Sequence, residues 1–316
     1  MVAPLDAPHD RKVTAPVELI DEFEAVRPRL LSLAHRILGS HEDAEDAVQT
    51  AWLRALGTDP ARIDNPAAWL TTVTSRLCLD RLRARERRGE LPLLADALPA
   101  EQLDADEEFL RREDVSRALL VLLHRLTAAQ RVAYVLHDLF RMPFAEVALV
   151  LDTSTANAKT LASRARRRLD GADAEGAELL PQTQAQRRIV EAFLAAARGG
   201  CLDTLVTLMA PDVARTADRA LLPAGGETDA IGSRAVAEET RRFADRIRAT
   251  VPMLLDGGEV AAIIAPGGHP LAVITFAFAQ DRISRLGITV ARREDLLGVR
   301  RFREPAGPRH IPGTPA

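Results

Sequence analysis

Residues Thr155–Leu169 constrain the fold more than any other stretch of the chain. Ala158, Leu161, Ala162, Ala165 and Leu169 recur at the three-four spacing of one helical face, so a core is expected to cover them. Asn157, Lys159, Thr160, Ser163, Arg164 and Arg167 point elsewhere, with Thr155 at the start and Arg166 and Arg168 adding charge. No acid lies among them. Pro143 opens a short apolar helix ahead, Phe144–Leu151, and Asp152-Thr153-Ser154 supplies the turn between the two. Further upstream, Leu119–Leu126 reads as an apolar helix and Thr127 as the cap of another, Ala128–Leu139. A short helix, a tight turn and a second helix rich in amides and arginines match the geometry by which a helix enters the DNA major groove. Arg pairs well with guanine edges and Asn with adenine, while Ser and Thr often bind phosphate. The plainer alternative is a helical hairpin with a solvated basic face.

The first block, Val17 to about Arg88, is helical almost throughout, with breaks at Gly39-Ser40 and between Gly57 and Pro66. Within His41–Leu56, Ala44, Ala47, Val48, Ala51, Trp52 and Ala55 share one face. Ser40 or His41 starts this helix, and Glu42, Asp43, Glu45 and Asp46 suit the positive end of its dipole. The opposite face carries Asp43, Asp46, Gln49, Thr50 and the apolar Leu53, an acidic rim around a leucine that a protein-binding helix often shows. An ordinary amphipathic helix with an acidic first turn explains the same residues. Pro66–Arg88 follows, with Asn65 as its N-cap and Trp69, Val73 and Leu77 as the expected core stripe. Thr72, Ser75, Arg76, Leu79 and Arg83 fall on another face. The end, with Arg81, Arg83, Arg85, Arg87 and Arg88 against Asp80 and Glu86, can neutralise phosphates.

Arg27-Pro28-Arg29-Leu30 to Gly39-Ser40 runs into Asp43-Ala44-Glu45-Asp46-Ala47-Val48-Gln49-Thr50-Ala51-Trp52-Leu53-Arg54. Asn65-Pro66-Ala67-Ala68-Trp69-Leu70-Thr71-Thr72-Val73 and Asp80-Arg81-Leu82-Arg83 follow in order. This succession resembles region 2 of extracytoplasmic-function (ECF) sigma factors. The span from Leu126-Thr127-Ala128-Ala129-Gln130-Arg131 to Arg164-Ala165-Arg166-Arg167-Arg168-Leu169 is similar to their region 4, with Asp152 where that family usually has Gly. Asp tolerates the left-handed backbone such a turn needs. The resemblance implies that Asp43, Asp46, Gln49, Thr50 and Leu53 dock on the β′ clamp helices of core RNA polymerase, with the β flap as a further partner. It implies that Arg62, Asn65, Thr72, Arg76, Asp80 and Arg83 hold the minus-ten element on the non-template strand. Thr155, Asn157, Lys159, Thr160, Ser163, Arg164 and Arg167 would read the minus-35 element. Residues 91–110, with Pro92, Pro99 and the acidic run Asp104 to Glu108, read as a linker that would thread towards the RNA exit channel.

A second linker is expected over 173–184, and a third unit over 185–303. That unit shows helical patterns at Gln186–Arg198, Asp203–Met209 and Ser233–Arg248, then β-rich runs at Val260–Ala265, Leu271–Ala279 and Ile283–Val290. Helices first and strands after predict an α+β unit behind two all-α ones. An added unit here resembles the ECF subgroup with a SnoaL-like, cone-shaped domain, which modulates the sigma core in place of a separate anti-sigma protein. Two motifs of that subgroup are absent: Leu91-Pro92-Leu93-Leu94 replaces a Trp-Leu-Pro-Glu-Pro sequence, and only Gly225-Gly226-Glu227 stands where Asp-Gly-Gly-Gly-Lys is usual. Cone-shaped folds also include isomerases and cyclases. Asp212, Asp218, Asp229, Asp256 and His269 are the candidate bases, but no pair has a spacing that specifies chemistry, so catalysis is not expected. An unknown small ligand in the third unit stays open. A DNA-binding regulator that does not load polymerase is the main alternative function.

The net charge of −3 over 316 residues neither announces nor excludes a nucleic-acid partner, because acidic and basic segments cancel. Cys78 and Cys201 are far apart and lack His or Cys neighbours at ligand spacing, so reduced thiols are expected and no metal or cofactor. The Met1-Val2-Ala3-Pro4 start has no basic cap and apolar run, and no apolar stretch approaches the ~20 residues of a membrane span. A cytoplasmic location follows as the expectation. Residues 1–16 and 304–316 read as disordered tails.

Overall fold

The computed structural model describes residues 11–59, 63–88, 95, 98–113, 116–170, 180–300 and 302. Two compact units emerge. The first is Met1–Arg166 together with Ala265–Leu271, and the second is Arg167–Ile264 with Ala272–Ala316.

In the first unit, α1 (Arg11–Leu38), α2 (His41–Leu56) and α3 (Pro66–Arg88) pack on one another. Leu30, Leu33, Ile37 and Leu38 of α1 are buried with Ala44, Ala47, Val48 and Ala51 of α2 and with Leu70, Cys78 and Leu82 of α3. Each buried leucine contributes roughly 1.5–3 kcal/mol, so this is where the bundle is held. Gly39 turns the chain at φ +78, and the Ser40 hydroxyl then accepts the Asp43 N–H to cap α2. Two expectations are corrected here. Helix α1 begins at Arg11, inside the stretch read as a tail; residues 1–10 and 304–316 lie outside the described residues. In α3 the core stripe is Leu70, Thr74, Cys78 and Leu82, with Ser75 and Leu79 also buried, while Trp69, Val73 and Leu77 are half-buried. The two stripes differ by one residue, about 100° around the helix. Apolar residues occupy both, so side-chain type alone did not select between them.

The expected linker is partly ordered, because α4 (Ala100–Arg112) occupies its second half. Its acidic run hid an inward face of Leu103, Asp106, Phe109 and Leu110 at helical spacing; Phe109 and Leu110 are 4% exposed and Asp106 is fully buried. Helices α5 (Arg117–Leu123), α6 (Ala128–Tyr134), α7 (Phe144–Leu151) and α8 (Thr155–Asp170) follow. Thr127 and Gln130 cap α6 reciprocally, and a π-helical turn, Val135–Leu139, extends it. Regions expected as separate domains, 17–90 and 111–172, share this one unit up to Arg166. Arg131 Nη1 of α6 donates to Ile37 O at 3.1 Å, Arg76 Nη2 of α3 to Leu149 O at 2.8 Å, and Glu86 accepts the Ala128 N–H at 2.7 Å.

The second unit is α+β. Helices α9 (Pro181–Arg198) and α10 (Leu202–Leu208) precede β1 (Met209–Ala217), β2 (Asp229–Ile231), α11 (Ser233–Arg242) and α12 (Ala244–Arg248). Strands β3 (Thr250–Leu254), β4 (Val260–Ile264), β5 (Ala272–Ala279) and β6 (Arg282–Val290) complete a six-stranded sheet of order β2-β1-β6-β5-β4-β3, and α13 (Arg293–Leu297) follows. Only the β1–β6 pairing is parallel. Strand β3 escaped sequence reading because Pro252 lies at its centre; it is an edge strand, where a missing N–H costs no ladder bond. Strand β1 escaped because Pro211 and Asp212 interrupt it, and its register shifts between Met209 and Ala214. The expected helix Ser233–Arg248 is divided at Phe243, whose φ −103 and ψ 27 leave the helical region.

Candidate polymerase- and DNA-binding surfaces

Helix α8 divides as its pattern predicts. Ala158, Ala162, Ala165 and Leu169 are buried and Leu161 is half-buried. Thr155, Asn157, Lys159, Thr160, Arg164 and Arg167 are exposed, and Ser163 is half-buried. The turn that aims the helix has Asp152 at φ 52, ψ 57, a left-handed cap that ends α7. Ser154 Oγ accepts the Asn157 N–H at 3.2 Å, and Asn157 Nδ2 donates to Thr153 Oγ1 at 2.8 Å. Lys159 Nζ lies 5.9 Å from the Phe144 ring centre, and Arg166 pairs with Asp138 at 3.5 Å. Arg164 projects to solvent from the middle of this surface.

On α2, Asp46, Gln49 and Leu53 are exposed and Thr50 half-buried; Leu53 keeps 61% of its surface open. Opposite them, Trp52 stacks on Phe23 with ring centres 4.4 Å apart. Asp43 stands apart from the row. It accepts Arg81 Nη1 at 3.0 Å and also Arg85 Nη2, so it ties α2 to α3. Asp46 takes the other Arg81 nitrogen at 3.0 Å while remaining more than half exposed.

On α3, Asn65 Oδ1 caps the helix by accepting Ala68 N–H at 3.0 Å. Asp80 and Arg83 are exposed, Thr72 is half-buried and bonded to Ala68 O, and Arg76 is exposed with its guanidinium on Leu149 O. Arg62 lies outside the described residues. The half-open Trp69, taken for core in the sequence, lies two turns before Arg76 on this helix, a placement that only burial reveals.

The candidate bases of the α+β unit have structural partners or open positions. Asp218 Oδ2 accepts Val290 N–H at 2.8 Å, Asp229 accepts Thr228 Oγ1 at 2.8 Å, and Asp256 pairs with Arg300 at 2.9 Å. Asp212 is exposed, and His269 is buried against Asp106. Sequence reading missed the buried Arg215, which pairs with Glu239 and donates to Glu227 O and Thr228 O. Among the described residues no cluster of His, Cys, Asp and Glu could hold a metal, and no helix is long and apolar enough to cross a membrane.

Models of sigma-70 region 2 and of sigma-70 region 4 match residues 23–88 and 116–169. The probable ECF RNA polymerase sigma factor SigI of Mycobacterium tuberculosis is 36% identical over 208 residues, 62% of this chain and 68% of that protein. The chain belongs to the ECF sigma factor family. The ECF sigma factor SigJ of the same species is 46% identical over 206 residues, 63% of this chain and 64% of SigJ, so the match spans just under two thirds of that relative's length. The crystal structure of SigJ covers 88% of this sigma factor and 99% of the SigJ chain, at 34% identity and a TM-score of 0.42. A putative ketosteroid isomerase from Kribbella flavida aligns with 43% of this chain and 93% of its own, at 17% identity and a TM-score of 0.27. The α+β character of the second unit rests on its own sheet and helices. The family is one of sigma factors, not of enzymes.

Proposed function

We propose that this sigma factor is a promoter-specificity subunit that binds core RNA polymerase and directs transcription initiation in the cytoplasm. Asp46, Gln49, Thr50 and Leu53 dock on the β′ clamp helices, and Asp43 holds that helix in place through Arg81 and Arg85. Asn65, Thr72, Arg76, Asp80 and Arg83, with Arg62 in the preceding loop, take the opened minus-ten strand. Thr155, Asn157, Lys159, Thr160, Ser163, Arg164 and Arg167 read the minus-35 element, with the β flap as neighbour. The observation that carries this reading is one chain holding both an exposed leucine on an acidic helix and an acid-free recognition face on α8. A repressor needs only the second.

The two promoter elements lie about 25 base pairs apart, roughly 85 Å at 3.4 Å per step. Regions 2 and 4 joined by Arg76–Leu149 and Arg131–Ile37 bonds cannot reach both, so engagement requires the first unit to open. The C-terminal residues modulate that opening. Run-off transcription with core polymerase tests the proposal: initiation that depends on this protein is expected. DNA binding without initiation would favour the regulator that loads no polymerase, and identical output after removal of residues 185–316 would reject modulation.

A further inference from the structure

Four of the seven histidines gather around the linker helix α4. Asp106 is their centre. One of its oxygens accepts the N–H of His41, the first residue of α2, and the other takes His269 Nε2 at 2.8 Å. His35 Nε2 of α1 lies 3.8 Å from the same carboxylate, too far for a hydrogen bond. The His35 and His41 rings rest on Phe109 of α4, with centres 4.3 and 5.0 Å away.

His269 arrives on the loop Ala265–Leu271, which joins β4 to β5 yet belongs to the first unit. The loop is held along its length. Glu107 Oε2 accepts Gly267 N–H at 2.9 Å and Arg117 Nη1 at 2.8 Å, and Arg117 also donates to Ala265 O at 2.7 Å. Pro270 O accepts Ala95 N–H at 3.0 Å. Gly268, at φ +89, lies so close to α5 that a Cβ would stand 2.5 Å from Leu120 Cδ1. His124, half-buried after α5, faces His269 with ring centres 6.4 Å apart.

We propose that Ala265–Leu271 is an acid-released latch that holds α4, and through Asp106 the N-terminus of α2, in the closed first unit. Burial lowers the His35 pKa, outweighing the attraction of Asp106, and His269 and His41 lower it further. Burial likewise holds His124 well below its ordinary value, with Arg131 of α6, His269 and Arg85 of α3 repelling a proton and only the Gly268 backbone favouring one. Asp106 stays ionised: its burial opposes charge, but His269, His35 and the His41 N–H together draw its pKa below the usual value. Both histidines are harder to protonate while latched than at the ordinary 6.5 they regain once released. Release takes up protons. The latch is complete above that pH and weakens as pH falls through it. Each histidine that remains neutral when latched shifts the equilibrium about tenfold towards release between pH ~7.5 and ~5.5, and the two together about a hundredfold.

The consequence for transcription rests on the proposed function, whereas the latch is measured without polymerase. Hydrogen exchange on the full chain gives protection factors, from which the intrinsic pH dependence has been divided out. Residues 100–112 are expected to lose protection between pH ~7.5 and ~5.5, by up to about a hundredfold, and by no more than about tenfold in His35→Gln or His124→Gln. His269→Ala and Gly268→Ala should lose it already at pH ~7.5, with strand 272–279 still protected. If His269→Ala unfolds that strand too, Gly268→Ala decides. Protection of 100–112 that ignores pH, keeps the full pH response of the unsubstituted chain in both glutamine variants, or survives Gly268→Ala overturns the latch. Release of α4 without any change in run-off output supports the latch and refutes the modulating role of the C-terminal residues.

Discussion

Asp43→Asn separates anchoring from docking at the acidic start of α2. The Asp43 carboxylate is 23% exposed and receives both Arg81 and Arg85; Arg85 is 11% exposed, and Leu38 O at 3.2 Å is its other acceptor. Asparagine keeps the size and removes the charge, leaving a nearly buried guanidinium short of its counter-ion. Breaking a fully buried pair costs about 3–5 kcal/mol and a solvent-exposed one about 0–1. The partial exposure here puts the cost at ~2 kcal/mol, a Tm fall of about 4–8 °C for a unit of this size. The protein supplies its own reporter, because its two tryptophans, Trp52 and Trp69, lie on α2 and α3. Thermal melts followed by tryptophan fluorescence therefore read the bundle that Asp43 joins. Leu53→Asp is the matched control: at 61% exposure it should move the melt by no more than about 2 °C, yet weaken core-polymerase binding about tenfold or more. Asp43→Asn, assayed well below its melt, should keep polymerase affinity within about threefold. An unshifted Asp43→Asn melt with binding lost as in Leu53→Asp would refute the argument, because it would place Asp43 on the docking surface.

Arg164→Ala should weaken minus-35 duplex binding about tenfold or more while leaving core-polymerase affinity unchanged; equal loss of both would make α8 structural. Lys159→Ala should lower the slope of log affinity against log salt by about one, measured by fluorescence anisotropy on the same duplex. A thiol reagent at neutral pH should titrate one cysteine in the native protein and two after denaturation. Cys201 is exposed, with its pKa lowered by hydrogen bonds from Thr204, whereas burial pushes the Cys78 thiol far up.

The contrast between α8 and α3 shows where sequence reading works. In α8 the inward positions are alanines and leucines and the outward ones are amides, hydroxyls and cations, so the pattern has one solution. In α3 apolar side chains surround most of the helix, and the choice between Trp69-Val73-Leu77 and Leu70-Thr74-Cys78 waits on which neighbours cover which side. For the same reason Ser75 and Leu79 were placed outward although the bundle buries them. Helix α4 was obscured by its charge: four of the five residues from Asp104 to Glu108 are acidic, and a buried aspartate has no signature in composition.

Local chemistry, then, was enough to fix the helices of the first unit other than α4, the α8 recognition face, the Asp152 turn and the three strands with β-rich runs, since each depends on residues within a few positions of one another. Pairing partners distant in the chain decided the rest. Strands β1 and β3 exist because neighbouring strands pair with them despite the prolines that hide them from a local reading. Asp106 and His269, 163 residues apart, acquire their chemistry only when burial removes water from both. A buried charge is set by what surrounds it, and no local pattern encodes those surroundings.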